Sequence, residues 1–402
     1  MKDTRFIKSI RLRNLLSFGP ESEEIELRPL NVLIGPNASG KSNFIDAISL
    51  LRDTPYDISV PFRSGGGAKE WVWKGESQGY FEITTKTPLQ HLYDYITFRH
   101  FIGFSIIGDF AFINEEVIEK DAAENDDDVF YNNKNGKAYL KTRKNIDNIL
   151  NKELVTQFLD SSKDMNSTQS ILSQRKDPFL YPELTSLGHK FASIAFYKNW
   201  YSGINANCRI PQQTDLPSAF LAENLNNFAL VVDKLAKRRE TRNLINEKLK
   251  LFYTNADYVS VNIQGGTAQV MVYEKGLNDP IPATRLSDGT LRYLCLLTIL
   301  CHPEPPPLIC IEEPEIGLHP DIMPTIAELL IDASKRTQLI VTTHSDVLVS
   351  ALSETPESIL VCEHDDAGTH MQRLEQEKLK SWLEKYSLGD LWLKGEIGGT
   401  RW

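Results

Sequence analysis

An apolar run, a glycine-punctuated loop and a helical pattern follow one another between Asn31 and Ile48, and few architectures accommodate that order. The loop, Gly35-Pro36-Asn37-Ala38-Ser39-Gly40-Lys41-Ser42, satisfies G-x-x-x-x-G-K-[ST] at every required position. Asn31-Val32-Leu33-Ile34 before it reads as a buried strand, and Asn43-Phe44-Ile45-Asp46-Ala47-Ile48 after it has helical spacing. Gly35 and Gly40 let the backbone curl so that its N–H groups point inward at phosphate oxygens. The helix then aims its positive end at the same place. In that arrangement Lys41 reaches the β and γ phosphates of a nucleoside triphosphate and the Ser42 hydroxyl ligates Mg²⁺. By average residue frequencies the bare pattern turns up in roughly one or two chains of this length per hundred, and the flanking strand and helix reduce coincidence further.

Three later segments supply what such a loop lacks. Leu308-Ile309-Cys310-Ile311 is an apolar strand, bounded by Pro305-Pro306-Pro307, that ends in Glu312-Glu313. Ligands of a parallel sheet sit at the carboxyl ends of its strands. Glu312 is therefore placed to hold Mg²⁺ through water, and Glu313 to act as the general base on an attacking water. Leu286-Ser287-Asp288-Gly289-Thr290 opens a helix through Leu291, Leu294, Leu297 and Leu300. Alone it is an ordinary N-cap; shortly before an acidic strand, the Ser287 hydroxyl and the Gly289 N–H read as an anion site for a γ-phosphate. His344 follows a further strand, Leu339-Ile340-Val341-Thr342-Thr343, and a neutral imidazole there can sense a γ-phosphate.

The order phosphate loop, signature, acidic strand, histidine resembles the ABC-type ATPase class, in the branch of AAA-family ATPases that holds RecF, SMC and the overcoming-lysogenisation-defect (OLD) proteins. The opening Phe6-Ile7-Lys8-Ser9-Ile10-Arg11-Leu12-Arg13-Asn14 with Ser17-Phe18-Gly19 is similar to that branch's first strand and turn. So are the flanks Gly35-Pro36-Asn37 and Lys41-Ser42-Asn43, and Glu312-Glu313-Pro314-Glu315 followed by Gly317-Leu318-His319-Pro320. Leu388-Gly389-Asp390-Leu391-Trp392 with Gly395-Glu396-Ile397-Gly398-Gly399 resembles stand-alone bacterial ATPases of the group that carry no fused nuclease. The resemblance covers residues 1–90 and 255–402. It implies an α/β ABC-ATPase head (a P-loop NTPase) with a mixed-sheet lobe, an inserted helical lobe and a core parallel sheet. It also implies ATP and Mg²⁺ as ligands, and a head-to-tail homodimer in which the Lys41 loop of one copy and Ser287 of the other enclose each ATP. Hydrolysis to ADP and phosphate would then time a switch that acts on a separate effector subunit, a TOPRIM-like nuclease, in anti-phage defence. The alternative is a RecF-like repair ATPase that clamps DNA. Asp288 stands where transporter signatures have glycine, and Thr290 where they have glutamine. Relatives also place a metal- and water-bridging glutamine in the first lobe, for which Gln174 and Gln78 both remain candidates. Arg63 and Arg13 are candidates for further nucleotide contacts.

Boundaries follow from pattern: residues 1–143 as an N-terminal lobe with the phosphate loop and antiparallel strands, 144–254 as an inserted helical lobe, and 255–402 as the lobe with signature, acidic strand and histidine. Helices are expected at Ile146–Leu172 and Ala219–Phe252, too short and too weakly heptad for a long coiled coil. The second stretch carries Lys234, Lys237, Arg238, Arg239, Arg242, Lys248 and Lys250, interleaved with Glu240 and Glu247. It can grip nucleic-acid phosphates or an acidic partner, or be a solvated face. The net charge of −10 argues against a uniformly basic coat. Glu119 to Asp128 reads as a solvated hairpin loop or, alternatively, a cation site, and Asp365-Asp366-Ala367-Gly368 as a turn, not as part of a nuclease metal cluster with Glu363. Five scattered cysteines without a C-x-x-C pair point to reduced, cytoplasmic thiols and no zinc site. No apolar run reaches membrane length, and Met1-Lys2-Asp3-Thr4-Arg5 lacks the apolar core of a signal peptide.

Overall fold

The computed structural model describes residues 4–88, 95–134, 136–145, 152–160, 164–198, 200 and 203–399 of the 402. The chain opens with β1 (Ile7–Arg13), β2 (Ile25–Glu26) and β3 (Leu30–Ile34), then α1 (Lys41–Asp53) and α2 (Ser59–Ser64). A run of strands follows: β4 (Gln78–Pro88), β5 (Tyr95–Ile107), β6 (Phe110–Lys120), β7 (Val129–Lys134), β8 (Lys137–Asn145) and β9 (Lys152–Asp160). With β1 and β2 they form one antiparallel sheet in the order β2-β1-β4-β5-β6-β7-β8-β9. Next come α3 (Ile171–Gln174), α4 (Pro182–Ala192), β10 (Ala195–Tyr197), β11 (Gln212–Gln213), α5 (Phe228–Ala236) and α6 (Arg239–Phe252). The last part holds β12 (Ala256–Gln264), β13 (Thr267–Glu274), β14 (Ile281–Pro282), α7 (Asp288–Leu300), β15 (Leu308–Glu312) and α8 (Met323–Ser334). It ends with β16 (Gln338–Thr342), α9 (Asp346–Ser350), β17 (Ile359–Asp365), β18 (Gly368–Arg373), α10 (Gln376–Leu383) and α11 (Leu388–Leu393).

The second large sheet has the order β10-β15-β16-β3-β17-β18, parallel except for the final β17–β18 hairpin. Its central strands are buried on both faces, which is why Leu-Asn-Val-Leu-Ile and Gln-Leu-Ile-Val-Thr read as unbroken runs and not as alternation. Successive side chains still go to opposite sides. Leu30, Val32, Ile34, Ile309, Ile311, Leu339 and Val341 join one core with α5, α7 and α8. Leu33, Leu308, Cys310 and Ile340 join the other, which lies beneath the antiparallel sheet with α1 and α4. The phosphate-loop strand is thus shared by both cores, and no register slip is open to it.

The expected helix at Ile146–Leu172 is not what forms. Lys152–Asp160 is a strand that pairs with β8 from Lys137↔Asp160 to Asn145↔Lys152, and only the four residues of α3 are helical at the far end of the stretch; residues 146–151 and 161–163 lie outside the described residues. Val155, Thr156 and Phe158 are β-formers, and a neighbouring strand with free backbone groups outweighs the helical spacing of the apolar positions. Of the helical stretch expected at Ala219–Phe252, Phe228–Ala236 and Arg239–Phe252 form α5 and α6, and residues 219–227 are not helical. The hairpin expected after His344 is β17–β18, with Ala367 N donating to Asp365 Oδ1 at 2.8 Å in its turn. All five cysteines are free and buried. Among the described residues there is no metal-holding cluster of His, Cys, Asp or Glu, and no helix long and apolar enough to cross a membrane.

Candidate nucleotide site

The three motif-bearing strands of the parallel sheet lie side by side, β15 next to β16 next to β3, so their carboxyl ends form one edge. Glu312 pairs in register with Thr342, and Thr342 with Leu33. The phosphate loop leaves β3 with Gly35 at φ 148°, Ala38 at φ 66° and Gly40 at φ 97°, the last capping α1. Those angles curl the loop, and surrounding atoms then close on it. A Cβ on Gly40 would stand 2.2 Å from Thr369 Oγ1, and that hydroxyl donates to Ser17 Oγ at 2.8 Å and to Ser39 O at 3.2 Å. Lys41 is buried, with its ammonium donating to Gly35 O at 2.8 Å and Pro36 O at 2.9 Å. Burial lowers its pKa against the opposing pull of Cys362 and Glu313. Pro36, Asn37 and Ala38 form the outer rim, Ser42 is exposed, and Asn43 is half-buried in the first turn of α1. Ser39 Oγ is buried with no hydrogen-bond partner among the described residues, beside the position a Gly35 Cβ would take.

On the neighbouring strand end, Glu312 is raised above the ordinary carboxylate pKa by burial; Lys198 pulls it down, and Asp46 and Glu313 push it up. Lys198 is itself ion-paired with Asp46. Glu313 takes a left-handed backbone, φ 46°, and its N–H donates to Thr342 O at 3.0 Å. A non-glycine residue in that region costs about 1–3 kcal/mol, and such strain clusters at working sites. The turn aims the carboxylate at His344, with Glu313 Oε1 3.8 Å from His344 Nε2. Burial and the Lys41 charge lower the His344 pKa, against Glu313 and Glu315, which favours the neutral imidazole. The structure therefore brings Lys41, Glu312, Glu313 and His344 to one edge.

Ser287 caps α7: its Oγ accepts from Thr290 N at 3.1 Å and lies 2.8 Å from Thr290 Oγ1. Neither Ser287 nor Gly289 shares a hydrogen bond with the phosphate loop among the described residues. A Cβ on Gly289 would instead be 3.0 Å from Gly317 O. The departure at Asp288 has a local partner, an ion pair with the Arg209 guanidinium, which also donates to Leu286 O at 2.6 Å.

Sequence reasoning missed four residues here. Glu315 Oε1 accepts from Thr343 Oγ1 and from His344 N, both at 2.7 Å, and so holds the histidine turn. Trp200 Nε1 donates to Glu312 O at 2.7 Å, and Arg292 on α7 donates to Trp200 O at 2.6 Å and to Ile316 O. Lys198 beside Glu312 completes the set. Only Glu315 left a trace in the chain, as the third carboxylate of Glu-Glu-Pro-Glu; the others arrive through tertiary packing. The uncertain candidates do not converge here. The Gln174 amide is spent on Asn166 O, Gln169 O and Ser170 O; Gln78 accepts from Tyr80 Oη at 2.7 Å; Arg63 pairs with Asp57 at 2.7 Å; and Arg13 lies over the Tyr80 ring at 5.3 Å.

The Ser42 hydroxyl at the start of α1 and the Glu312 carboxylate at the end of β15 are hard oxygen donors that suit Mg²⁺, and Glu312, raised by burial and by carboxylate neighbours, gains from a nearby cation. The unpartnered Ser39 hydroxyl and the curled backbone suit phosphate oxygens.

A family model described as "AAA domain, putative AbiEii toxin, Type IV TA system" matches residues 30–350. Among solved structures, the chain is similar to an Smc head bound to the C-terminal winged-helix domain of ScpA: 14% identity, TM-score 0.55, 93% of this chain and 99% of that one. It is also similar to an Smc head with an extended coiled coil bound to the C-terminal domain of ScpA from Pyrococcus furiosus: 14% identity, TM-score 0.53, 94% of this chain and 99% of that one. No curated protein matches the chain.

Proposed function

The chain belongs to that AAA-domain family and has the fold of an SMC-type ABC ATPase head, and on that premise we propose that it hydrolyses ATP in a site completed by a second copy of itself. The observation that carries this reading is the shared edge of β15, β16 and β3, where Lys41, Glu312, Glu313 and His344 meet. Gly35 to Ser42 hold the triphosphate, with Asn43 behind them; Lys41 neutralises charge on its terminal oxygens. A bound Mg²⁺, held by Ser42 and through water by Glu312, would supply further charge neutralisation there. Glu313 takes the proton of the attacking water, and neutral His344 donates to the γ-phosphate. Ser287 and Gly289, which share no hydrogen bond with their own phosphate loop among the described residues, serve the site of the partner copy. The ATP-bound dimer is a switch whose lifetime Glu313 sets.

The family description names a toxin of a toxin–antitoxin system, and the similar Smc heads each carry a ScpA domain. The Smc heads support a separate partner subunit and the family description a role in defence; the effector proposed is a nuclease, acting in the cytoplasm. The DNA-clamp alternative draws less support from α5 and α6, because Lys237, Arg238, Lys248 and Lys250 are ion-paired with Asp233, Glu304, Glu328 and Asp257.

The test is the mass of the native particle with and without ATP, for wild type and Glu313→Gln. ATP should drive dimers or larger rings that Glu313→Gln traps and Ser287→Arg abolishes. A mass indifferent to ATP in both proteins, with turnover intact in Ser287→Arg, would sink the composite site.

A further inference from the structure

The segment from Ser387 to Gly399 has no part in the reading above, yet it touches that site from two sides. α11 lies on α9, the helix that starts two residues after His344. A Cβ on Gly389 would meet Asp346 O and Ser350 Oγ, each at 2.2 Å; Ser350 Oγ and Ser387 Oγ are 3.0 Å apart; and Leu388 N donates to Ser353 Oγ at 2.9 Å. Ser387 and Asp390 close a capping box that holds α11 in this seat. The chain then turns back through Gly395, Gly398 and Gly399, at φ 75°, 75° and 69°. Gly399 N donates to Glu363 Oε1 at 2.8 Å, and Trp392 Nε1 donates to Gly399 O at 3.0 Å. The glycine so placed abuts the phosphate loop: a Cβ on Gly399 would stand 3.4 Å from Gly35 Cα and 2.9 Å from Val361 Cγ1. A Cβ on Gly35 would itself lie 2.2 Å from Cys362 O. The first glycine of the phosphate loop therefore sits hard against the Cys362 carbonyl, and a Cβ on Gly399 would touch Gly35 while pressing on Val361, so a branched side chain at Gly399 would bear on the loop.

We propose that Ser387–Gly399 is a positioning clasp of the nucleotide site, seated at one end on the helix after His344 and at the other on Gly35. It sets the spacing between the γ-phosphate sensor and the phosphate loop. Trp392, Glu363 and Gly399 act through Gly35 and do not touch nucleotide. The proposal rests on the nucleotide reading above. Coupling of this kind is reciprocal: if the seated clasp tightens nucleotide binding, bound nucleotide must tighten the clasp by the same factor.

The test uses the full chain and a non-hydrolysable ATP analogue with Mg²⁺. Gly399→Val should weaken analogue binding about tenfold, and Trp392→Phe, which removes the N–H donor and one ring while keeping an aromatic side chain, by less. Gly276→Val is the control, since it imposes the same left-handed strain, φ 85°, with nothing within 4 Å of its Cβ; its affinity should equal wild type. In wild type the analogue should slow hydrogen exchange at the Gly399 amide, and in Trp392→Phe that slowing should shrink. Affinity equal to wild type in Gly399→Val and Trp392→Phe overturns the clasp. So does an affinity loss that merely follows a fall in the melting point of the nucleotide-free protein, as simple destabilisation would produce. If Gly399→Val does not fold, Trp392→Phe decides by the same two readouts. Failure of the nucleotide reading looks different: wild type and Lys41→Ala would be alike in binding no analogue, which overturns both proposals.

Discussion

The two large sheets solve opposite problems. The antiparallel sheet meets solvent on one face, so β4 alternates buried and half-buried positions along its length. One interior cluster there is joined by hydrogen bonds: Glu116 accepts from Ser170 Oγ and from Ile171 N at 2.9 Å, and lies 3.0 Å from His100 Nε2, all three side chains being buried; Thr85 Oγ1, Thr87 Oγ1, Asn114 Oδ1 and Asn133 Oδ1 are buried without partners among the described residues, scattered along the strands. The parallel sheet is buried on both faces; Asn31 and Gln338 at its amino ends are hydrogen-bonded, whereas at the carboxyl edge that carries the site Ser39 Oγ and Glu315 Oε2 are buried without partners among the described residues. What differs is placement: unpartnered polar atoms gathered at one strand edge beside the phosphate loop suit a ligand, whereas those spread along the antiparallel strands converge on nothing. The first sheet is thus a scaffold and the second a site.

Four measurements sharpen or break that contrast. Glu313→Gln should lower turnover by about 10²–10⁴-fold and leave the unfolding midpoint unchanged, because it removes a base at the edge of an intact sheet. Glu116→Ala should do the reverse: it strands His100, Ser170 and the Ile171 N–H in the interior and should cost about 3 kcal/mol in denaturant unfolding, with turnover per folded molecule retained. A Glu116→Ala protein of normal stability and abolished turnover would erase the distinction between the sheets. His344, lowered by burial and Lys41, should titrate below 6.5 when followed by NMR. In the unfolded chain the imidazole takes up its proton first, so this group removes stability as pH falls from above 6.5 towards its folded value. A titration at or above 6.5 would mean the imidazole is charged at the site. Phe158→Ser should be the smallest, within about 0.5 kcal/mol of wild type, because Phe158 is 82% exposed on the edge strand β9.

The same contrast explains what was legible in the chain. Each strand of the parallel sheet carries its own chemistry in a continuous stretch, so Lys41, Glu312, Glu313 and His344 could be read in order, and the sheet brought them together. Strands β8 and β9 carry no such punctuation. Their pairing depends on a partner that local spacing does not reveal, and the apolar spacing after residue 146 suits a helix as well. Trp200, Arg292 and Lys198 were invisible for a related reason. They reach Glu312 and its neighbours from elements that share no motif with it, and only packing introduces them.

The order β16-β3-β17 has a consequence for how the molecule is made. Strand β3 is synthesised early, but both of its neighbours, Gln338–Thr342 and Ile359–Asp365, come from the far part of the chain. Until they emerge from the ribosome, an apolar strand and its phosphate loop have no edge to dock on, for a period on the order of tens of seconds at ordinary translation rates. The antiparallel sheet can pair most of its strands during that wait, since β4 to β9 are sequential hairpins. Assembly would then finish at the nucleotide site, and a truncated nascent chain would carry a complete scaffold with no catalytic edge.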